Sequence, residues 1–440
     1  MPPTFAQLGV PESICRALKR SGIHKPFEIQ SAVIADAMDG RDICGRAPTG
    51  SGKTLAFGIP LIANVGQARP RRPRALILSP TRELADQIAS ELRSISGPVS
   101  VAAVYGGVGY ANQRKQLQRG VDILVACPGR LEDLIDQRAV SLKEADQVVI
   151  DEADRMADMG FLPAVRRILD QTAAQRQTVM FSATLDSDVA KLTRDYQDRP
   201  ITHEVGDATP DIRSADHRFW TVEKAERVDI CANVISAAGP TIVFCRTRHG
   251  SDRLARQLTQ RGVKAAAIHG GHAQNRRTRT LKEFIDGRVE ALIATDVAAR
   301  GIHVDCVACV IHFDPPEDHK AYLHRSGRTA RAGQTGLVVS LVQTGQHADT
   351  KKIQQRLDLH EPITSPRPLE QSEAPARRRK PSHPRTQDQG KQKPRSQPQG
   401  DRNRPVQQNK SRGGRKPNGK PRSRPQQQTG RKPRSGASSR

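Results

Sequence analysis

The chain has 440 residues and a formal net charge of +25, from 71 Lys and Arg against 46 Asp and Glu, a length that exceeds one compact core and suits two domains with a further segment. The charge is uneven: residues 366–440 hold 22 Lys/Arg against 4 Asp/Glu, so 18 of the 25 net charges lie there and the preceding 365 residues carry only +7, a distribution that points to a polyanionic partner. Seven scattered cysteines argue against a disulfide framework, and the lack of a charged-then-apolar leader or an apolar run near ~18 residues argues against secretion or a membrane span, so a cytoplasmic monomer is expected.

In chain order, Val10-Pro11-Glu12 opens a helix through Ala17-Leu18, and Gly22-Ile23-His24-Lys25-Pro26 turns the chain into a second helix that carries Gln30 and runs to about Met38. Asp42-Ile43-Cys44-Gly45 then leads into Ala47-Pro48-Thr49-Gly50-Ser51-Gly52-Lys53-Thr54, a variant phosphate loop with alanine at the first glycine position. Its glycines let backbone N–H groups converge on an anion at the start of a helix, where Lys53 would reach the β/γ-phosphates and Thr54 would hold Mg²⁺. Read together with that loop, the Gln30 amide offers both a donor and an acceptor to an adenine edge.

Apolar runs at 74–79, 101–105 and 121–126 predict buried parallel strands, and they end in Pro80-Thr81-Arg82, Gly106-Gly107 and Cys127-Pro128-Gly129-Arg130. Glycine at such ends lets the backbone approach a sugar-phosphate chain, although each turn taken alone serves structure equally well. Val148-Val149-Ile150 delivers Asp151 and Glu152 to the C-terminal end of a strand, where α/β sheets place their chemistry. Asp151 can hold Mg²⁺ through water, and Glu152 can orient and deprotonate an attacking water. Val179-Met180-Phe181-Ser182-Ala183-Thr184 is a further strand with a hydroxyl-bearing end.

Around 205–214, Gly206, Pro210 and Asp211 read as a linker, after which strands are expected at 241–244, 265–269, 291–295, 307–313 and 337–342. This half has no phosphate loop and is expected to close over the first. Cys306-x-x-Cys309 and His269-x-x-His272 have metal-like spacings but belong to apolar strands or their ends, and packing is the expectation for both. In His324-Arg325-Ser326-Gly327-Arg328-Thr329-Ala330-Arg331, Arg328 and Arg331 stand three apart on a short helix, so both guanidinium groups can face a γ-phosphate presented by the other half. From Pro366 onward the chain has no Phe, Tyr or Trp; it is expected to be disordered and to act as a salt-sensitive tether for a phosphate polyanion, RNA by the resemblance given below, a solubilising tail being the alternative.

These motifs occur in an order that resembles the DEAD-box ATP-dependent RNA helicases from residue 5 to about 345: Gly22, Pro26, Ile29 and Gln30; the loop at 47–54; Pro-Thr-Arg-Glu-Leu at 80–84; Asp-Glu-Ala-Asp at 151–154; Ser-Ala-Thr at 182–184; and the arginine run at 324–331. The resemblance implies an α/β fold of two RecA-like domains, each a parallel sheet flanked by helices, at 1–205 and 216–365, with a linker at 206–215 and a disordered basic C-terminal tail at 366–440. It implies adenine contacts from Phe5, Ile23, Pro26 and Gln30, ATP contacts from the whole 47–54 loop, a ribose contact from Asp296 and a further nucleotide contact from Gly301. Implied RNA contacts are Pro80, Thr81, Arg82, Gly106, Gly107, Gly129, Arg130, Gly270, Gln274, Arg277 and Thr295. Ser182, Thr184 and His324 would couple the domains, and Lys53, Asp151, Glu152 and the arginine fingers Arg328 and Arg331 would form the catalytic set. Ile23, Cys127, His303 and Ala330 replace the aromatic residue, Thr, Asp and Gly usual at those positions. The activity implied is ATP hydrolysis with Mg²⁺, coupled to local separation of RNA duplexes or remodelling of RNA–protein complexes, on single strands and short duplexes held by their backbones. Ribonucleoprotein or ribosomal-precursor partners would fit. An ATP-gated RNA clamp or annealing chaperone shares these motifs, and a DNA helicase is the less favoured third reading.

Overall fold

Short apolar runs, flanked on both sides by amphipathic helices, build two parallel sheets in this computed structural model, which describes residues 3–47, 51–184, 187–206, 214–299, 304, 307–330 and 335–369. Residues 207–213 of the segment read as a linker and 370–440 of the basic tail fall outside that set.

The first sheet consists of β1 (Ile43–Arg46), β2 (Ala75–Leu78), β3 (Val101–Val104), β4 (Ile123–Ala126), β5 (Gln147–Ile150), β6 (Gln177–Ser182) and β7 (Ile201–Glu204), in the order β3-β4-β2-β5-β6-β1-β7. Strands covered on both faces must be apolar throughout, and β2 and β4 are buried at every position. Successive side chains take opposite faces: Ile77, Val125, Val149 and Val179 enter one core, and Leu76, Leu124, Val148 and Met180 enter the other. Helices Glu12–Arg20, Glu28–Met38, Lys53–Asn64 and Arg82–Ile95 fill the first core, and Pro128–Asp136, Leu162–Leu169 and Ser187–Tyr196 the second. The order has a chemical consequence. β1, which leads to the phosphate loop, and β5, which leads to Asp151, are separated only by β6, so Ser182 emerges between them.

The second sheet consists of β8 (Ala215–Thr221), β9 (Thr241–Phe244), β10 (Ala265–Ile268), β11 (Ala291–Ala294), β12 (Cys309–His312), β13 (Gly336–Val342) and β14 (Ile363–Thr364), ordered β10-β11-β9-β12-β13-β8-β14. Counted from its own first strand, this is the same permutation as in the first sheet. The loop after β8 runs Val222-Glu223-Lys224, with no glycine, so the position that holds a phosphate loop in one sheet holds an ordinary turn in the other. Among the described residues no helix is long and apolar enough to cross a membrane.

Candidate nucleotide and nucleic-acid site

The phosphate loop begins at Ala47, which is fully buried after β1, and ends at Gly52, whose φ of +88° suits glycine alone. Pro48, Thr49 and Gly50 lie outside the described residues; Ser51 and Thr54 are half-buried beside the start of helix Lys53–Asn64. Lys53 is buried at the first turn of that helix, and its Nζ donates to the Ala47 carbonyl at 3.0 Å, which spans the loop. Gln30 is 2% exposed; its Nε2 donates to Gly52 O at 2.9 Å and its Oε1 accepts from Phe27 N at 2.9 Å. Pro26 is buried beside it, whereas Ile23 is half-buried and packs on the first core. Phe5 is 4% exposed and belongs to that core with Ile14 and Leu18, where it holds the N-terminal segment in place.

Asp151 and Glu152 follow β5 and are both buried. Glu152 has a left-handed backbone, φ +54°, a conformation that costs a non-glycine residue about 1–3 kcal/mol and clusters at functional sites. Burial pushes its carboxyl pKa up, but Arg155 and Lys53, with a further contribution from Arg328 of the other sheet, outweigh burial and leave it lowered. Glu152 is therefore a carboxylate at neutral pH, able to accept hydrogen bonds. Asp154 is shifted the opposite way, by burial and then by the charge on Glu152. Its backbone N–H donates to Ser182 Oγ at 3.2 Å, and Ser182 Oγ donates to Thr184 O at 2.6 Å. The carboxylate strand is thus wired to the exposed end of β6.

Predicted nucleic-acid contacts divide by burial. Arg82 follows the N-cap Thr81, whose side chain accepts from Leu84 N at 3.4 Å with Pro80 buried behind it, and remains half-exposed. Its guanidinium lies over Gly106-Gly107, where a Cβ on Gly107 would collide with it. Gly129 is exposed at the start of the next helix. Arg130, by contrast, is 8% exposed; both terminal nitrogens donate to Val108 O at 3.1 Å, and the group stacks 3.9 Å from the Tyr110 ring centroid. It holds the Gly106–Gly109 turn from behind. Gln274 and Arg277 are each 5% exposed and both engage Glu83 of the first sheet's helix, at 3.0 and 2.8 Å. These two, expected on RNA, link the second domain to Glu83 of the first.

In the second sheet Thr295 is buried after β11, and Asp296 forms a two-pronged pair with Arg325, both contacts at 2.6 Å. Arg325 also donates to Asp314 O at 2.7 Å and is 2% exposed, so it fixes the carboxylate expected at the ribose. Arg328 is 7% exposed in the turn after helix His319–Ser326. His324 and Lys320 of that helix each reach 4.0 Å from Asp158 of the first domain. Gly301, His303 and Arg331 lie outside the described residues.

Two features were not legible in advance. After β9, Thr247 caps its helix by accepting from Gly250 N at 3.0 Å, and the exposed Arg248 extends toward Gly270-Gly271 after β10. This repeats the Thr81-Arg82 and Gly106-Gly107 arrangement, strand for strand; the recurring Thr-Arg and Gly-Gly pairs are the signal that would have found it. Beside them, Asp252, His269 and His272 place one ligand atom each within 4.8 Å of one another. Gly271 N donates to His269 Nδ1 at 3.2 Å and His269 Nε2 lies 3.0 Å from Asp252, which puts the ring proton on the nitrogen facing the carboxylate. The trio is a hydrogen-bonded staple for the glycine turn.

The DEAD/DEAH box helicase family matches residues 27–192 and the helicase conserved C-terminal domain matches 226–333. The DEAD-box ATP-dependent RNA helicase CshA of Geobacillus kaustophilus is 35% identical over 375 residues, 83% of this chain and 80% of that protein. The chain belongs to the DEAD-box family of ATP-dependent RNA helicases. Its two sheets are the two RecA-like domains of that family. The mitochondrial DEAD-box helicase 9 of Arabidopsis thaliana is 40% identical over 80% of this chain but 59% of its own length, and the chloroplastic helicase 3B of Zea mays is 39% identical over 83% of this chain and 51% of its own. The chain thus spans between half and three-fifths of those longer DEAD-box relatives. A structure of S. cerevisiae Dbp5 bound to RNA and ADP BeF3 superposes with a TM-score of 0.72 at 25% identity, covering 82% of this chain and 95% of that one.

Proposed function

We propose that this DEAD-box chain is an RNA-stimulated ATPase that locally separates short RNA duplexes or remodels RNA–protein complexes. The observation that carries the reading is that the second domain is seated against the first, Gln274 and Arg277 reaching across to Glu83, with Arg328 near enough to Glu152 to favour its charged form. Half of a hydrolytic site therefore faces the groups that complete it. The loop N–H groups and Lys53 bind the phosphates at a helix N-terminus. The Thr54 hydroxyl and Asp151 carboxylate are oxygen donors that suit a hard cation and would hold Mg²⁺, which supplies neutralisation of phosphate charge. Glu152 orients the attacking water as a carboxylate, and Arg328, with Arg331 by resemblance, stabilises charge developing on the transferred phosphoryl group.

RNA backbone is gripped by two equivalent surfaces, Arg82 with Gly106-Gly107 and Arg248 with Gly270-Gly271, together with Thr295. ATP and RNA favour the closed pair of domains, and hydrolysis releases it. Reduced, mostly buried thiols suit a cytosolic setting. Strand separation is favoured over a pure clamp because the curated relatives of comparable length carry the helicase name. Replacing Glu152 by Gln tests the core of the reading: ATP and RNA binding persist while ATP turnover disappears, and turnover at the unaltered rate would overturn the assignment.

A further inference from the structure

Phe27 is 59% exposed, one of two large hydrophobic side chains so exposed among the described residues. It also stands at the N-cap of helix Glu28–Met38, where Ser, Thr, Asp or Asn would accept a hydrogen bond from the first turn, and its side chain makes none. Two locally unfavourable choices meet at one residue, and such conflicts concentrate at functional positions. The location is specific. A Cβ on Gly52 would meet Phe27 Cδ2 at 2.7 Å, so the ring borders the last glycine of the phosphate loop. The backbone of the same residue donates to Gln30, which in turn holds Gly52. Ile23, where an aromatic residue would stand by family resemblance, packs on the core.

We infer that Phe27 is the stacking platform for the adenine base, so that the aromatic surface has moved along the chain from position 23 to position 27. A purine joined to phosphates seated on this loop needs a flat apolar face close to the loop and a polar edge partner. Phe27 supplies the face, and the Gln30 amide supplies the edge once it exchanges its bond to Gly52 O for one to the base. Exposure of the ring follows from that role, since the base covers it only when nucleotide is bound.

The inference rests on the reading of the chain as an ATPase, and steady-state hydrolysis by the full chain with RNA tests both. Phe27→Ala raises the KM for ATP roughly tenfold, within the range for losing one base–aromatic stack, with kcat at saturating ATP retained; Phe27→Tyr restores KM and Phe27→Leu does not. Competitive inhibition separates stacking from loop distortion: in Phe27→Ala the inhibition constant of ADP rises while that of inorganic tripolyphosphate, which has no base, stays unchanged. An unchanged KM for ATP, or equal weakening of ADP and tripolyphosphate, overturns the stacking role alone. No hydrolysis by the unaltered chain overturns both readings.

Discussion

Ala330 carries φ +52° immediately after the arginine turn, in the position where glycine is usual for the family. The left-handed backbone costs an alanine about 1–2 kcal/mol, more than the ~0.4–1 kcal/mol that glycine adds through freedom of the unfolded chain. Ala330→Gly should therefore shift the urea midpoint upward by the equivalent of about 0.5–1 kcal/mol at unchanged slope. Gly107 presents the converse case. With φ +81° and the Arg82 guanidinium against it, Gly107→Ala has to displace the arginine; RNA stimulation of ATP hydrolysis should fall at least several-fold while ATP binding persists, read as ATPase rate against RNA concentration.

Among the elements, β12 carries a fully buried His312, whose Nδ1 lies 3.1 Å from Ser340 Oγ and whose ring meets Tyr322 edge-on. Burial, then Arg325 and His217, drive its pKa well below 6.5. The unfolded chain therefore takes up this proton first, so the second domain is at full strength above about pH 6.5 and weakens as pH falls below it. Thermal unfolding should decline less steeply with acidity in His312→Asn. Between elements, Glu83 is the shared acceptor of Gln274 and Arg277; Glu83→Gln strands a buried guanidinium, and breaking such pairs costs about 3–5 kcal/mol. The domains can escape that cost by opening, so fluorescence energy transfer between them should report a smaller closed population with RNA and a non-hydrolysable ATP analogue.

Legibility followed burial chemistry. β2, β4 and β5 are legible because a strand covered on both faces must be apolar, whereas β8 is not, because His217 and Arg218 interrupt its apolar run. Both are buried but matched: His217 Nδ1 lies 2.6 Å from the Tyr322 hydroxyl, and Arg218 Nη2 donates to Asp216 at 2.6 Å. Likewise Lys53, Asp151 and Glu152 could be read because their chemistry follows from a strand end. The partner of Arg277 could not, since nothing local to that residue names a carboxylate on another domain.

For the molecule as a whole, the tail from residue 366 holds 22 Lys/Arg, and log affinity for single-stranded RNA falls with log salt by about 0.7 for each phosphate neutralised. A chain ending at 365 should bind RNA more weakly and with a shallower salt slope, measurable by anisotropy across a salt series, while keeping nucleotide-dependent closure. The two sheets share one strand order, and their paired Thr-Arg and Gly-Gly surfaces give the molecule two hands of one design. It has a single latch, because a phosphate-loop sequence occurs once, at 47–54 after β1. Two hands that depend on one latch let go together, leaving neither to hold the strand while the other advances. On the proposed reading each ATP consumed permits one grasp and one release by the two domains, so the yield of separated strands should drop sharply as duplex length increases, however long the reaction is left to run.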